Sequence, residues 1–415
     1  MKGSQILLAT VLTFFTVPAD AQQPRSIFYM TREPQSVRAF LAHADKIDIL
    51  SPSWYAVDSS GLLSGGPNPE VMETARQDHV PVMPLVVNLG FAQEEVHKFF
   101  ANPTARQQAV AAMVRASRDN GYIGLQLDLE NVHWTDRDAL SDFVRETAAA
   151  FHKENLQLSI ATIPNAPGHP GETGFSAWIY QNWRGAYDLK AIAQSVDFVC
   201  LMTYDQHTTW TVPGPVAGWN WTVANLDYAL KVVPPQKLAL GIPLYGYHWF
   251  AGTPTKAPDK TGDKPNPTAG YISTDDALDL AKAYSAHLDW DAVDRAAWMY
   301  FYRDDEREWI FYTDVRTFKE RYALVKDREL YGFASWVLGT EDPGIWYCCQ
   351  ATNDLPLAHV NKKGRSVPLI TTNMELGNQG SWRRLLSARD GGQPCHRKLQ
   401  RYLYAKRRVR MLRGS

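Results

Sequence analysis

Gln126, Asp128 and Glu130 stand two residues apart in the stretch Gly124-Leu125-Gln126-Leu127-Asp128-Leu129-Glu130-Asn131-Val132. Side chains alternate between the faces of a strand, so Leu125, Leu127 and Leu129 are expected on one face and the three polar residues on the other. Carboxyl groups spaced this way titrate together, and one keeps its proton near neutral pH. A protonated glutamic acid held over a glycosidic oxygen is a general acid. The plainer alternative is that Asp128 and Glu130 are polar strand-end residues that bind loop amides.

Such a pair works only if the fold carries it to a mouth. Short apolar runs at 26–30, 46–50, 80–88, 122–129, 156–162, 196–204, 237–245 and 331–337 alternate with helix-patterned segments such as 34–44, 105–119, 136–154 and 315–324. That alternation is the pattern of βαβ units around a parallel sheet. Eight strands favour a closed (β/α)8 TIM barrel over an open doubly wound α/β sheet of five or six. In such a barrel Gln126, Asp128 and Glu130 line the interior and end at the C-terminal mouth, where barrel enzymes do their chemistry.

The seventh and eighth runs lie too far apart for one helix. Between them fall a Pro/Gly/Lys loop, a helix near 275–287 and two aromatic runs, 297–302 and 308–313, around the charged turn 303–307. This predicts a small α+β insertion over 250–313 that carries a hairpin. Without it, residues 22–347 leave a remainder close to the roughly 250 residues of a typical barrel.

The chain has 415 residues, is 45% hydrophobic and 21% charged, and carries a net charge of −1. This composition excludes a disordered or collagen-like chain and gives no general argument for nucleic acid. The balance hides an asymmetry: from Ser381 onward eleven basic residues face the single acid Asp390, a net of +10, and the preceding residues carry −11.

Residues 1–21 read as a secretory signal: Lys2, an apolar run over 6–17 too short to cross a bilayer, and Ala19-Asp20-Ala21 before a cut at Gln22. The mature protein is therefore expected to be secreted, periplasmic or in the cell wall, without a membrane span. Cys200, Cys348, Cys349 and Cys395 form no Cys-x-x-Cys or Cys/His metal spacing. Cys200 reads as a buried small hydrophobe, and spacing assigns no disulfide among the other three.

The catalytic stretch resembles that of glycoside hydrolase family 18, whose pattern is Asp-Gly-x-Asp-x-Asp-x-Glu. The resemblance continues through Met202-Thr203-Tyr204-Asp205, Gly241-Ile242-Pro243-Leu244-Tyr245-Gly246 and Trp336, in the family's order. Asp128-Leu129-Glu130-Asn131-Val132 together with residues 335–343 is most similar to the bacterial branch of spore-cortex and cell-wall N-acetylglucosaminidases.

The resemblance covers about residues 26–346. It implies a (β/α)8 glycosidase of N-acetylglucosamine polymers, chitin or peptidoglycan glycan, that acts by substrate-assisted retaining hydrolysis. Carried over residue by residue, Glu130 is the acid, Asp128 holds the 2-acetamido N–H and Tyr204 donates to the acetamide carbonyl. Gln126, Met202, Asp205, Tyr245 and Trp336 bind substrate, with Trp336 under the ring. No cofactor, no metal and a single copy of the chain are implied.

Two positions depart from the pattern: Ile123 replaces the first Asp and Gln126 the second. Glutamine can hydrogen-bond Asp128 but cannot titrate, so an altered pH profile is expected, and a lectin that binds chito-oligomers without cutting them is the alternative. Trp54, Tyr55, Trp134, Trp210, Trp219, Trp221 and Trp249 are expected on loops after strands, as sugar-stacking or packing aromatics. His133, His207 and His248 read as rim residues. The basic segment 348–415 reads as a disordered tail or a surface anchor.

Overall fold

The computed structural model describes residues 23–250 and 269–348. The expected signal over 1–21, most of the 250–268 loop, and all of the basic segment but Cys348 lie outside the described residues. In chain order the strands are β1 (Arg25–Met30), β2 (Ile49–Val57), β3 (Leu63–Gly65), β4 (Leu85–Asn88), β5 (Gly124–Asp128), β6 (Gln157–Thr162), β7 (Phe198–Leu201), β8 (Leu238–Pro243), β9 (Tyr245–Trp249), β10 (Ala269–Ser273), β11 (His287–Asp291), β12 (Ala296–Arg303), β13 (Glu306–Tyr312) and β14 (Gly332–Trp336).

Eight of them, β1, β2, β4 to β8 and β14, run parallel. They close because β1 pairs on one side with β2, Ile27 opposite Ile49, and on the other with β14, Ser26 opposite Phe333. The result is a (β/α)8 barrel with helices between its strands. Local sequence sets the helix ends. In Pro103–Asn120 the Asn102 side chain accepts from the amides of Thr104 and Ala105, Pro103 takes the first turn, and Gly121 leaves at φ 69°.

Alternation sorts the strand residues. Leu125, Leu127 and Leu129 pack outward in one cluster with Phe99, Phe143 and other helix residues. Tyr29, Met83, Leu85, Phe198, Cys200 and Ala334 fill the barrel interior in another. At roughly 25 cal/mol per Å² of buried apolar surface, these two layers supply most of the driving force for folding.

Strand β3 pairs antiparallel with β2 on the barrel sheet, and the other five strands form an antiparallel sheet in the order β10-β9-β13-β12-β11. Its hairpin β12–β13 is the aromatic pair of runs expected from the sequence, and the helix Thr274–Ala283 packs on it through Ala277 and Ala281. Several strands are shorter than their apolar runs, β4 and β7 among them, and two boundaries differ in a way that bears on the architecture. Residues 237–245 are not one strand: β8 stops at Pro243, Leu244 donates its N–H to Trp336 O at 2.7 Å, and the chain crosses there into β9. The second sheet therefore begins at Tyr245 rather than at 250. Strand β2 runs on to Val57 despite Ser51 and Pro52, because Ser51 Oγ donates to Met83 O and Pro52 pairs with Met30 in the register.

Candidate active site

Strand β5 delivers the pair. Glu130 lies just beyond its end, where Asn88 at the end of β4 grips it twice: Asn88 Nδ2 donates to Glu130 O and Glu130 N donates to Asn88 Oδ1, both at 3.0 Å. The Tyr187 hydroxyl donates to Leu129 O at 2.7 Å from the other side. Asp128 is 5% exposed, and its Oδ1 has no hydrogen-bond partner among the described residues.

Burial alone pushes the Asp128 carboxyl up to about 7. Burial, with the carboxylates of Asp128 and Asp205 close by, pushes Glu130 well above the usual carboxylate range. One proton is thus held by the pair near neutral pH.

Below the pair Gln126 is wholly buried. Its Oε1 accepts from Tyr29 Oη at 2.7 Å, and its Nε2 donates to Ser159 Oγ at 2.8 Å and to Cys200 Sγ at 3.2 Å. The sequence reading made Gln126 a substrate contact and a partner of Asp128. Its amide is instead engaged by the barrel interior, and it makes no hydrogen bond to Asp128 among the described residues.

Opposite the pair Tyr204 stands edge-on to Tyr245, ring centroids 6.4 Å apart. Asp205 follows at φ 61°, and its Oδ1 accepts from Tyr245 Oη at 2.5 Å and Tyr247 Oη at 3.0 Å. Tyr245 is 2% exposed and donates its hydroxyl to Asp205, which places it behind that carboxylate. Met202 is buried beside Tyr204, and half-buried Trp336 lies against Tyr29, ring centroids 5.5 Å apart, between the barrel interior and the second sheet.

The structure therefore brings together Asp128, Glu130, Tyr204, Asp205 and Trp336. Asn88, Tyr29, Tyr187 and Tyr247 were missed. Asn88 carried a signal, since it is the polar residue closing an apolar run at its C-terminal end. The hydroxyls of Tyr29, Tyr187 and Tyr247 reach the site only through tertiary packing.

Of the aromatics expected on loops, Trp54, Tyr55 and Trp249 are buried strand residues, with Trp249 Nε1 donating to Thr211 O. Trp219 and Trp221 lie on the helix Trp219–Ala229, and Arg295 stacks over Trp219. Trp134 and Trp210 are exposed. His133 bonds Thr135 and His207 bonds Val212 O, whereas His248 is paired with buried Glu308 at 2.7 Å. Among the described residues no three His, Cys, Asp or Glu could hold a metal ion, and no helix is long and apolar enough to cross a membrane.

The enclosed pair has a measurable cost. The unfolded chain releases its carboxyl protons near pH 4, and the folded site holds the Asp128 proton up to about 7. Stability is therefore fully present below pH 4 and falls as the pH rises toward 7. Asp128→Asn is expected to melt with wild type at pH 4 and above it at pH 8, by about 4 kcal/mol at most for a carboxyl moved from near 4 to about 7. Thermal melts at the two pH values check this, and a difference independent of pH refutes it.

A closed parallel barrel whose fourth strand ends in a buried carboxyl pair belongs to the class of (β/α)8 glycosidases. Glycosyl hydrolases family 18 matches residues 25–341, and this chain belongs to that family. It is 21% identical to the "Uncharacterized glycosylase YvbX" of Bacillus subtilis (strain 168), over 82% of this chain and 95% of that protein. It is 26% identical to the cortical fragment-lytic enzyme of the same organism, over 70% of this chain and 64% of that one. In fold it resembles a chitinase from Chromobacterium violaceum, with TM-score 0.69 and 24% identity over 79% of this chain and 98% of the other.

Proposed function

We propose that the protein is a secreted glycosidase that cleaves β-1,4 bonds at N-acetylglucosamine with retention, using the substrate's own acetamide as nucleophile. Glu130 protonates the leaving oxygen as the bond from it to the anomeric carbon breaks. The acetamide carbonyl oxygen, hydrogen-bonded by Tyr204, forms the new bond to that carbon from the opposite face, and Asp128 accepts the acetamide N–H. Trp336 supports the ring. Water guided by ionised Glu130 then opens the oxazolinium ion.

The observation that carries this reading is the state of the other carboxylates. Beside Glu130 stand Asp128 and Asp205. Asp128 shares the pair's proton, and Asp205 is engaged by two tyrosine hydroxyls. That engagement of both neighbours supports a nucleophile carried by the substrate itself. The family and the cortex-lytic relative favour chitin or peptidoglycan glycan, and the export signal read at 1–21 favours action outside the cytoplasm.

The test is mass-resolved product analysis with chitopentaose and with purified peptidoglycan strands, plus NMR detection of the first anomer released. Cleavage with β-anomer formed first is expected, and the polymer that is cut names the substrate. α-Anomer first would refute the mechanism. Binding of both glycans without product would favour the lectin reading that Ile123 and Gln126 raise.

A further inference from the structure

The peptide between Leu129 and Glu130 is held at both ends of its dipole. Its carbonyl oxygen accepts from the Tyr187 hydroxyl at 2.7 Å, and its N–H donates to Asn88 Oδ1 at 3.0 Å. The next peptide is held at its carbonyl by Asn88 Nδ2, also at 3.0 Å. One residue on, Asn131 turns to φ 54°, with its Nδ2 donating to Phe91 O at 2.9 Å. Strand β5 has already ended at Asp128, so these contacts, rather than a ladder of neighbouring strands, fix the backbone that carries Glu130.

Tyr187 is itself held. Arg137, which opens the helix Arg137–Lys153, donates through Nη1 to Gly185 O at 3.0 Å and to Tyr187 O at 3.3 Å, and its Nη2 pairs with Asp188 Oδ2 at 3.4 Å. Asp188 Oδ1 in turn accepts from the amides of Lys190 and Ala191 at the start of the helix Leu189–Ser195. The tyrosine is 1% exposed and packs in the same cluster as Leu127 and Leu129. Burial, then the charges of Glu130 and Asp128, push its phenol well above the ordinary value, so the hydroxyl keeps its proton and stays a donor. A packing role would need only the ring.

We propose that Tyr187 is a positioning residue for the acid: its hydroxyl, working with Asn88 on one peptide, sets the direction in which Glu130 leaves the backbone and so where the proton is delivered. The inference rests on the function proposed above, in which Glu130 is the general acid. Such an acid works only within about 2.6 to 3.2 Å of the atom it protonates, and a displacement of about 1 Å can cost a hundredfold. With the carbonyl held by Tyr187 and the amide by Asn88, the peptide plane resists tilting, and the Cα–Cβ bond of Glu130 keeps its aim. Tyr187 acts through the Leu129 carbonyl alone.

The experiment uses the full chain and two substrates. One is chitopentaose, or peptidoglycan strands if those are cut, whose leaving group is a sugar hydroxyl; the other is dinitrophenyl β-chitobioside, whose phenolate departs without a proton. Tyr187→Phe keeps the buried ring and removes only the hydroxyl. It is expected to lower kcat on the glycan by about tenfold to a hundredfold with KM little changed, and to slow the aryl glycoside far less. In the Glu130→Gln background the same substitution adds less than about twofold, because the group it aims is gone. Equal losses on the two substrates, or a full further loss on top of Glu130→Gln, overturn the positioning role alone. If Glu130→Gln itself slows both substrates equally, or wild type cuts no glycan, the proposed function falls and this inference with it.

Discussion

Glu130→Gln is expected to lower kcat on chitopentaose, or on peptidoglycan strands if those are the substrate, by 10³-fold or more. General acid catalysis contributes about 10² to 10⁴, and glycosidic leaving groups depart poorly without a proton. The loss falls on kcat with KM little changed, because glutamine keeps the shape and hydrogen-bonding reach of the side chain and lacks only the titratable proton. Asn88 holds the backbone on both sides of the Glu130 peptide, so the replacement leaves the strand end where it is. A second signature follows from the shared proton. Wild type should show a bell-shaped kcat/KM profile whose two apparent pKa values belong to the Asp128–Glu130 pair. Residual turnover of Glu130→Gln above one tenth of wild type would assign the acid elsewhere.

The second large effect is structural. Arg321, on the helix Val315–Asp327, is 1% exposed, and it donates to the carbonyl oxygens of Ala217, Asp294 and Arg295. Burial pushes its guanidinium down to about 10, still charged at physiological pH. Among the described residues no carboxylate pairs with it directly; three backbone carbonyls hold it. Arg321→Met leaves those carbonyls buried without donors and is expected to cost about 2 to 4 kcal/mol, a buried acceptor without a donor costing about 1 to 3. Urea unfolding measures it. Arg321→Lys should recover less than half, because an ammonium cannot span three carbonyls that a planar fork reaches. A loss under 1 kcal/mol for the methionine variant would show that the three contacts carry little.

Much of the barrel was legible in the sequence because its signals are local. Period-two alternation put Leu125, Leu127 and Leu129 outward and Asp128 inward, and Pro and Asn marked helix starts. Reading failed where a neighbour decided the outcome. The split at Leu244 depends on the Trp336 carbonyl, nearly a hundred residues away in sequence. The hydrogen-bond partners of Gln126 and Tyr245 were not legible, because a polar residue on a strand looks alike whether it faces a cleft or a buried network. Trp54 and Tyr55 read as loop residues because Pro52 hides the continuation of β2 to Val57. Asn88 needed only the rule that strand ends of a barrel carry the site.

The pairing of Ser26 with Phe333 in the closing strands also sets a condition on synthesis. Strand β1 is among the first structured segments to leave the ribosome, and the strand that covers one of its edges is among the last. Until Gly332–Trp336 emerges, β1 and β8 each present a row of unpaired backbone groups, and such edges recruit other chains. The nascent chain therefore gains from a holding chaperone until its final strand is made, and premature termination before residue 332 yields an aggregation-prone fragment rather than a smaller barrel.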